Sequence, residues 1–259
     1  MSKYYIKIMI IFNITMMIIK LNATESTNTF LKEMCHNNEV ENYTVVYSEN
    51  QSKGRGQMNY KWDSESGKNL TLSILVKYSS LEISKQFYIS KVISLAIYEV
   101  VNSLVKVSVA IKWPNDILTA SKKVCGVLIE NSVKRSEIQH SIVGIGLNVN
   151  QELFVNLPNA TSLKMITDQE YDLDLLLKKL IDSIKLYCKL IEENKFDSIN
   201  EQYLKCLYKY EKPSMYRDVL KDRQFLGKIV GTSGDGKLRV ELENENIKEF
   251  NLKEIEFLN

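Results

Sequence analysis

The 259-residue sequence predicts an α+β fold near residues 17–208 and a small all-β unit near residues 212–259. Apolar residues recur at three- and four-residue spacing in Ser84–Leu104 and Asp172–Glu193, which indicates two helices with one buried face each. Runs rich in β-branched and aromatic residues lie around them and predict strands. Beyond Pro213, short strand patterns follow at close spacing, as is typical of a small β-barrel.

The first part contains further helices and a series of strands. Ser26–Asn28 offers capping side chains for a helix that we expect to run Thr29–Met34. A further helix is expected over Phe196–Lys209. The predicted strands are Ile18–Leu21, Tyr43–Tyr47, Asn69–Val76, Val107–Trp113, Lys123–Glu130 and Ile138–Val149.

Glycines break the second part into short segments. The Gly234–Gly236 tripeptide favours a hairpin turn over a phosphate-binding loop, because glycine pairs are typical of tight turns between strands. The predicted strands are Met215–Leu220, Phe225–Thr232, Lys237–Leu242 and Ile247–Phe257.

The composition excludes several classes of protein. A hydrophobic fraction of 44% and a charged fraction of 25% are ordinary for soluble domains and argue against disorder or a collagen-like chain. The net charge of +2 creates no broad field, so generic nucleic-acid binding is not expected. The four cysteines are widely spaced and only two histidines occur, which argues against a zinc site or a histidine-based triad. Such cysteine usage fits the reducing cytoplasm.

The amino terminus carries an apolar run at Ile8–Ile19. It is shorter than the roughly 20 residues of a membrane-spanning helix and resembles the hydrophobic region of a signal peptide, but no small-residue cleavage site follows. We therefore expect residues 1–16 to be an extension or to follow from an upstream start codon, in a cytoplasmic protein. A real export signal is the alternative.

Residues 50–67 form a polar, glycine-bearing loop that is long for a compact domain, and such loops are often functional. Gly54 and Gly56 let backbone N–H groups approach an anion closely, and Arg55 can hold a phosphate or carboxylate. Alone, this tripeptide also fits a plain turn with a solvated arginine. Trp62 can cover a ligand or simply anchor the loop.

Three further motifs combine strand ends with polar side chains. Lys112–Asp116, KWPND, fits a turn, and strand-end turns are also where binding sites are built. Lys123 opens the apolar run KVCGVLIE and is either a solvated edge lysine or one that reaches a phosphate. Gly144–Asn150, GIGLNVN, lacks the third glycine and the helix of a dinucleotide fingerprint, so we interpret it as a buried strand that ends in ligand-binding asparagines.

The order and spacing of these motifs resemble biotin protein ligase, the enzyme that attaches biotin to the carrier domain of biotin-dependent carboxylases. The resemblance covers residues 25–150 and extends to the carboxy-terminal β unit. It implies a mixed sheet with helices on one side, of the class II synthetase-like ligase type, and an SH3-like barrel at the carboxy terminus. The motifs that carry it are Glu25–Asn28 (ESTN), Gln51 with GRG, Trp62 with Gly67–Leu70 (GKNL), KWPND, KxxGVLIE and GIGLNVN.

The resemblance implies that ATP and Mg²⁺ activate biotin to biotinyl-5′-AMP, and that a carrier lysine then accepts the biotin. Biotin and ATP are substrates, and no tightly bound cofactor is implied. The implied partner is the biotin carboxyl carrier protein domain of acetyl-CoA carboxylase or a related carboxylase, with neither nucleic acid nor membrane as a partner. A homodimer is left open.

Matching motifs imply roles for individual residues. Lys123 and Arg55 would be catalytic, with Lys123 between the biotin carboxylate and the α-phosphate, and Asp116 would face the Mg²⁺ ion. The implied biotin-binding residues are Ser26, Thr27, Asn28, Gln51, Arg55, Gly56, Gln57 and Lys123. The implied ATP- or adenylate-binding residues are Trp62, Lys112, Asn115, Asp116 and Asn148.

The chain departs from many family members directly after GRG. Gln57, Met58 and Asn59 stand where a further arginine often occurs, and a neutral amide holds an anion less strongly, so we expect weaker retention of the adenylate. Lys53 or Lys61 can compensate. Some members also carry an amino-terminal helix-turn-helix domain. The residues before Glu25 are too few for one, which predicts a short form that acts only as an enzyme.

Three alternatives stay open at this point. A lipoate or octanoate ligase is the nearest, although KWPND and GRGQ favour biotin. A non-catalytic relative that binds biotin or carrier protein is supported by Gln57 and opposed by Lys123 and Arg55. A secreted or membrane-anchored binding protein is supported by Ile8–Ile19 alone.

Overall fold

The computed structural model describes residues 8–13, 16–57 and 61–258, so most of the 1–16 extension, and Met58 and Asn59, lie outside the described residues. The strands are β1 (Ile8–Asn13), β2 (Met16–Thr24), β3 (Val45–Gln51), β4 (Leu70–Lys77), β5 (Val109–Lys112), β6 (Asp116–Thr119), β7 (Lys122–Lys134), β8 (Glu137–Leu147), β9 (Pro213–Asp218), β10 (Arg223–Thr232), β11 (Leu238–Leu242), β12 (Ile247–Phe250) and β13 (Ile255–Phe257). The helices are α1 (Thr27–Asn37), α2 (Gln86–Asn102), α3 (Leu163–Thr167), α4 (Leu173–Glu192) and α5 (Phe196–Cys206).

Strands β1 to β8 form one mixed sheet in the order β1-β2-β3-β4-β8-β7-β6-β5. Strands β2 and β3 are parallel because α1 crosses over between them, and the other neighbours are antiparallel. The long hairpin of β7 and β8 lies inside the sheet and pairs Gly126 with Gly146. This hairpin is the centre of the site described below.

Both faces of the mixed sheet are apolar. Val45 and Ile74 belong to the large core that includes residues of α2 and α4, whereas Val46, Leu75 and Leu31 of α1 form a smaller second core. Successive strand residues point to opposite faces, so α1 lies on the face opposite α2 and α4. The expectation of helices on one side of the sheet is therefore wrong for α1, because β3 and β4 offer apolar side chains in both directions.

Strands β9 to β13 form an antiparallel five-stranded sheet in the order β12-β11-β10-β9-β13. The hairpin predicted at Gly234–Gly236 is confirmed, since it joins β10 to β11, and Gly236 has φ +94°. The single strand predicted over Ile247–Phe257 is wrong: β12 and β13 flank a turn in which Glu254 N–H donates to Asn251 O at 3.0 Å. Tyr216 and Phe250 join the large core beneath the mixed sheet.

The helix predictions are confirmed, with shifted ends. The Ser26 hydroxyl caps α1 by accepting from Thr29 N–H at 3.5 Å, and the helix continues to Asn37. Strands β1 and β6 and helix α3 were not predicted. Residues of β1 were assigned to the amino-terminal extension, and β6 and α3, with four and five residues, are too short to display a period. Over the part of the chain that the structure describes, no helix is long and apolar enough to cross a membrane.

Lys91 of α2 is a buried lysine at the contact between α2 and α5. It is 3% exposed, its Nζ donates to Asn200 Oδ1 at 2.7 Å, and it lies 4.8 Å from the centre of the Tyr88 ring. Burial lowers the pKa of Lys91 from 10.5 to about 8, because an ammonium loses hydration in the core.

This burial predicts a specific dependence of stability on pH. Between pH 8 and 10.5 the unfolded chain still binds a proton on Lys91 that the folded chain has released, so the free energy of unfolding contributed by Lys91 rises with pH. We expect the difference in stability between the wild-type protein and Lys91→Met to rise by ~1 kcal/mol per pH unit in this window. Denaturant titrations of both proteins measure it. A difference that stays flat with pH would contradict the prediction.

Candidate active site

A cavity of about 820 Å³ runs from the amino-terminal end of α1, across β7 and β8, to the turn after β5 and the edge of the second sheet. This volume is within the usual range for small-molecule sites. The predicted site residues that line it are Ser26, Thr27, Asn28, Gln51, Arg55, Gly56, Gln57, Trp62, Lys112, Asn115, Asp116 and Lys123.

The end of the cavity beside α1 is a network of neutral polar groups. Gln51 Oε1 accepts from Thr27 N–H at 2.7 Å and from the Thr27 hydroxyl at 3.1 Å. The Ser73 hydroxyl donates to Asn28 Oδ1 at 2.5 Å and lies 2.7 Å from Thr27 Oγ1. Ser26 is the last extended residue before α1 and caps the helix. The side chains of the ESTN segment therefore lie at the start of the helix.

Asn28 lies against the backbone of the central hairpin. It is 3% exposed, and its Nδ2 donates to Glu130 Oε2 at 2.7 Å. A Cβ at Gly144 would lie 2.4 Å from Asn28 Oδ1, so only glycine leaves room for this side chain. Gly144 and Glu130 thus fix the orientation of the asparagine amide.

Trp62 covers the adjoining part of the same sheet face. A Cβ at Gly146 would lie 2.3 Å from the indole, and one at Gly126 would lie 3.1 Å from it. The indole N–H is buried and has no hydrogen-bond partner among the described residues. Buried donors are rarely left unpaired in proteins, and a ligand in the cavity can supply the acceptor that this N–H lacks among the described residues.

Lys123 and Asp116 form the charged centre of the cavity. The Lys123 ammonium lies 2.8 Å from Asp116 Oδ1, and both side chains are about one-third exposed. The main chain of Lys123 is held by two hydrogen bonds: Lys123 N–H donates to Asn159 O, and Thr161 N–H donates to Lys123 O. Burial raises the pKa of the adjacent Cys125 thiol well above 9.0, so that thiol stays protonated.

The turn at Trp113–Asn115 predicted from KWPND is confirmed and is held by three separate elements. Asn115 is buried, and its Nδ2 donates to Val127 O at 3.0 Å. The Trp113 indole donates to Gly236 O of the β10–β11 hairpin at 2.9 Å, and the Tyr203 hydroxyl of α5 donates to Pro114 O at 3.1 Å. Asp116 then begins β6, which brings its carboxylate to Lys123.

The glycine-bearing loop forms one rim of the cavity. Arg55 is exposed, and its Nη2 donates to Thr29 Oγ1 at 3.2 Å. Gly56 and Gln57 follow along the lining, and residues 58–60 lie outside the described ranges.

Asn148 is not among the described residues that line the cavity. It is 4% exposed, and its Nδ2 donates to Thr161 O at 2.9 Å. No individual role was predicted for several residues that line the cavity or orient its groups, although some of them lie within the KxxGVLIE and GIGLNVN motifs. These are Ser73, Gly126, Leu128, Glu130, Gly144, Gly146, Tyr208, Lys209 and Phe257. The signal for the glycines was present, because an isolated glycine within a strand indicates close approach of a neighbouring group.

The acidic side chains of the described residues do not form a preformed metal site. Among the described residues, no three His, Cys, Asp or Glu side chains are grouped so that they could hold a metal ion. Asp116 is a carboxylate on the lining, and it can contribute one ligand to a metal ion that arrives with others.

Comparisons with known proteins identify relatives of this chain. Residues 21–148 match the biotin/lipoate A/B protein ligase family. The biotin–[acetyl-CoA-carboxylase] ligase of Mycobacterium tuberculosis is 31% identical over 143 residues, which cover 54% of this chain and 52% of the relative. The bifunctional ligase/repressor BirA of Bacillus spizizenii is 30% identical over 131 residues, which cover 51% of this chain and 40% of the relative. The chain thus matches about half, or less, of the length of these curated relatives.

A solved structure extends the likeness to the second sheet. The biotin protein ligase from Aquifex aeolicus, in complex with biotin and ATP, is 28% identical and has a TM-score of 0.73. The match covers 92% of this chain and 97% of that one. The match to the biotin/lipoate A/B protein ligase family thus covers residues 21–148, just under half of the chain, and the likeness to a solved biotin protein ligase extends over nearly all of it.

Proposed function

We propose that this protein is an ATP-dependent biotin–protein ligase. It forms biotinyl-5′-AMP from biotin and ATP, and it transfers biotin to a lysine of a biotin carboxyl carrier protein. The observation that carries this proposal is the position of Lys123, whose ammonium lies 2.8 Å from Asp116 of the KWPND motif and which lines the same cavity as the polar pocket at α1. A cation there faces a carboxylate from one side and a nucleotide phosphate from the other.

The polar network at α1 suits the ureido ring of biotin. That ring offers one carbonyl acceptor and two N–H donors, and it carries no charge. Thr27, Asn28, Gln51 and Ser73 provide neutral donors and acceptors for such a ring, and the neighbouring Glu130 carboxylate, which accepts from Asn28 Nδ2, is partly exposed rather than buried. Ser26 supports this pocket as the cap of α1.

The glycine floor suits the apolar part of biotin. Gly126 and Gly146 carry no side chains, so a ligand can lie directly on the sheet backbone beneath Trp62. In this arrangement Trp62 moves with its loop to cover the ligand, and its unpaired N–H gains an acceptor. The Gly54–Gly56 segment with Arg55 closes over the adenylate and excludes water, which protects a mixed anhydride from hydrolysis.

Lys123 is the proposed catalytic cation of adenylation. A biotin carboxylate oxygen attacks the α-phosphorus of ATP, the bond to the bridging oxygen breaks, and pyrophosphate leaves with the electron pair. Both reactants are anionic, and an ammonium between them offsets their repulsion and the charge that develops on the phosphorus oxygens. Lys112 and Asn115 line the nucleotide side of the cavity.

Magnesium enters this reaction as part of the MgATP substrate, where it neutralises phosphate charge. Asp116 can bind the ion by one carboxylate oxygen, and the phosphates and water supply the other ligands that Mg²⁺ requires. The same carboxylate also lies 2.8 Å from the Lys123 ammonium, so binding of MgATP would exchange one cation for another at Asp116.

In the transfer step the neutral ε-amine of a carrier lysine attacks the acyl carbon of the adenylate, and AMP leaves. The proposed carrier is a domain of acetyl-CoA carboxylase, as the name of the mycobacterial relative suggests. We also propose that residues 17–208 are the catalytic domain and that residues 212–259 are an SH3-like domain. The four free thiols support a cytoplasmic location, and formation of a homodimer stays a prediction.

Pyrophosphate release tests the proposed activity. We expect release with MgATP and biotin, and little with lipoate or octanoate. Lys123→Ala is expected to lower the rate by at least about a hundredfold, because it removes charge stabilisation in the transition state. Lys122→Ala is the matched control, because that neighbouring side chain is exposed. A folded wild-type protein that releases no pyrophosphate with any acid would disprove the proposal and favour a binding protein.

The glycine floor predicts the effect of adding one methyl group. Gly146→Ala places a Cβ 2.3 Å from the Trp62 indole, so either the indole or the ligand must shift. We expect a roughly tenfold weaker affinity for biotin, measured by calorimetry. Gly234→Ala is the control, because its added Cβ meets no atom within 4 Å. An unchanged affinity in the Gly146→Ala protein would argue against a ligand on this floor.

Adding a positive charge to the glycine-bearing loop is expected to strengthen its hold on the adenylate. Gln57 lines the cavity as a neutral amide, and Gln57→Arg adds a donor that can form charge-assisted bonds to the adenylate phosphate. We expect biotinyl-5′-AMP to dissociate more slowly from the variant, as measured by chasing labelled adenylate with unlabelled adenylate. Equal dissociation rates would show that the loop retains the adenylate without an arginine at this position.

A further inference from the structure

Several lysines around the cavity already have carboxylate partners. These ion pairs are Lys53–Glu25 at 2.9 Å, Lys61–Asp63 at 2.5 Å and Lys123–Asp116 at 2.8 Å. Two other lysines on the lining, Lys112 and Lys209, have no carboxylate oxygen within 4.0 Å among the residues that the structure describes. They are therefore cations whose charge no acidic side chain in the described chain neutralises.

The fold brings these two lysines to the same end of the cavity. The segment after α5 runs parallel to β5, where Leu207 bridges to Ile111 and Tyr208 N–H donates to Ile111 O at 2.8 Å. Lys112 and Lys209 directly follow these paired residues. Their charges interact, since burial first and then the charge of Lys112 lower the pKa of Lys209.

An aromatic pair, Tyr208 from the segment after α5 and Phe257 from β13, supports both ammonium groups. Lys112 Nζ lies 5.1 Å from the centre of the Phe257 ring, and Lys209 Nζ lies 5.6 Å from that of Tyr208. The two ring centres are 6.2 Å apart. Lys209 Nζ also donates to Leu258 O at 2.7 Å. The two aromatic rings and the Leu258 carbonyl orient the ammonium groups but do not neutralise them, so the lysine pair keeps its net charge of +2.

The backbone of Lys209 is also unusual. Its φ is 60°, a left-handed conformation that costs a lysine free energy and is more often adopted by glycine or asparagine. The surrounding contacts therefore hold Lys209 in this position, where its side chain reaches the cavity and Leu258 O. Two repelling cations in a shared pocket are stabilised when a polyanion binds both.

We propose that Lys112 and Lys209 together bind the β- and γ-phosphates of ATP, with Lys209 supplied by the segment between α5 and β9. This inference rests on the proposed function and extends its nucleotide site to the edge of the second sheet. Lys123 faces the α-phosphate, so the lysine pair faces the pyrophosphate that leaves. The pair offsets charge on the departing oxygens as the bond to the α-phosphorus breaks.

The test compares ATP with AMP, which lacks the β- and γ-phosphates. Lys209→Gln removes the charge but keeps an N–H donor for Leu258 O. Calorimetry with MgATP is expected to give about tenfold or weaker affinity in this variant, whereas AMP affinity changes by less than about twofold. Lys209→Arg is expected to keep most of the affinity for ATP. Lys212→Gln is the control, because Lys212 is exposed and lies three positions along the same segment.

The outcomes separate this inference from the proposed function. Equal losses of ATP and AMP affinity in Lys209→Gln would assign Lys209 a structural role and overturn the phosphate subsite. Unchanged ATP affinity in that variant, with biotin-dependent pyrophosphate release by the wild-type protein, would overturn the subsite and leave the proposed function intact. An absence of pyrophosphate release in the wild-type protein would be a failure of the proposed function itself.

Discussion

The arrangement of the cavity depends on the absence of side chains at the centre of β7 and β8. Gly126 pairs with Gly146, and Gly144 lies one pleat further along the same face. Asn28 and Trp62 occupy the space that Cβ atoms would take, so groups from α1 and from the glycine-bearing loop reach the sheet backbone itself. Alanine at these positions would place Cβ atoms against Asn28 and Trp62. Both side chains would be pushed off the sheet and into the cavity, which would narrow it.

The KWPND turn joins the two sheets at the end of the cavity where we propose that the nucleotide binds. Trp113 is tied to the β10–β11 hairpin through Gly236, and α5 is tied to the turn through Tyr203. Gly236 is required there for two reasons: its φ is positive, and a Cβ would lie 2.6 Å from the Phe87 ring of α2. The second sheet therefore fixes the position of the turn. The second sheet thus holds the turn rigid, and residues at its edge also line the cavity.

Local signals made much of the fold predictable. The period of α2 and α4, the cap at Ser26 and the hairpin at Gly234–Gly236 are properties of adjacent residues, and all were predicted from them. Motif order predicted the side chains that line the cavity. Long-range pairing was not predictable, and it decides the rest. The bridge between Ile111 and Leu207 brings Lys209 to the cavity, whereas Asn148 donates to Thr161 O and is not among the lining residues.

The ion pairs around the cavity explain how such a site can hold several cations without unfolding. The Lys123–Asp116 pair is about one-third exposed, and partly exposed pairs contribute little to stability, so exchanging partners costs little. In the proposed reaction, Asp116 keeps Lys123 oriented until the biotin carboxylate and the α-phosphate replace it, and the released carboxylate is then free for the magnesium ion of the proposed substrate. Lys112 and Lys209 have aromatic rings instead of carboxylates, so they attract a polyphosphate without first breaking an ion pair. The positive charge of Lys112 and Lys209 is therefore concentrated where we propose that pyrophosphate leaves.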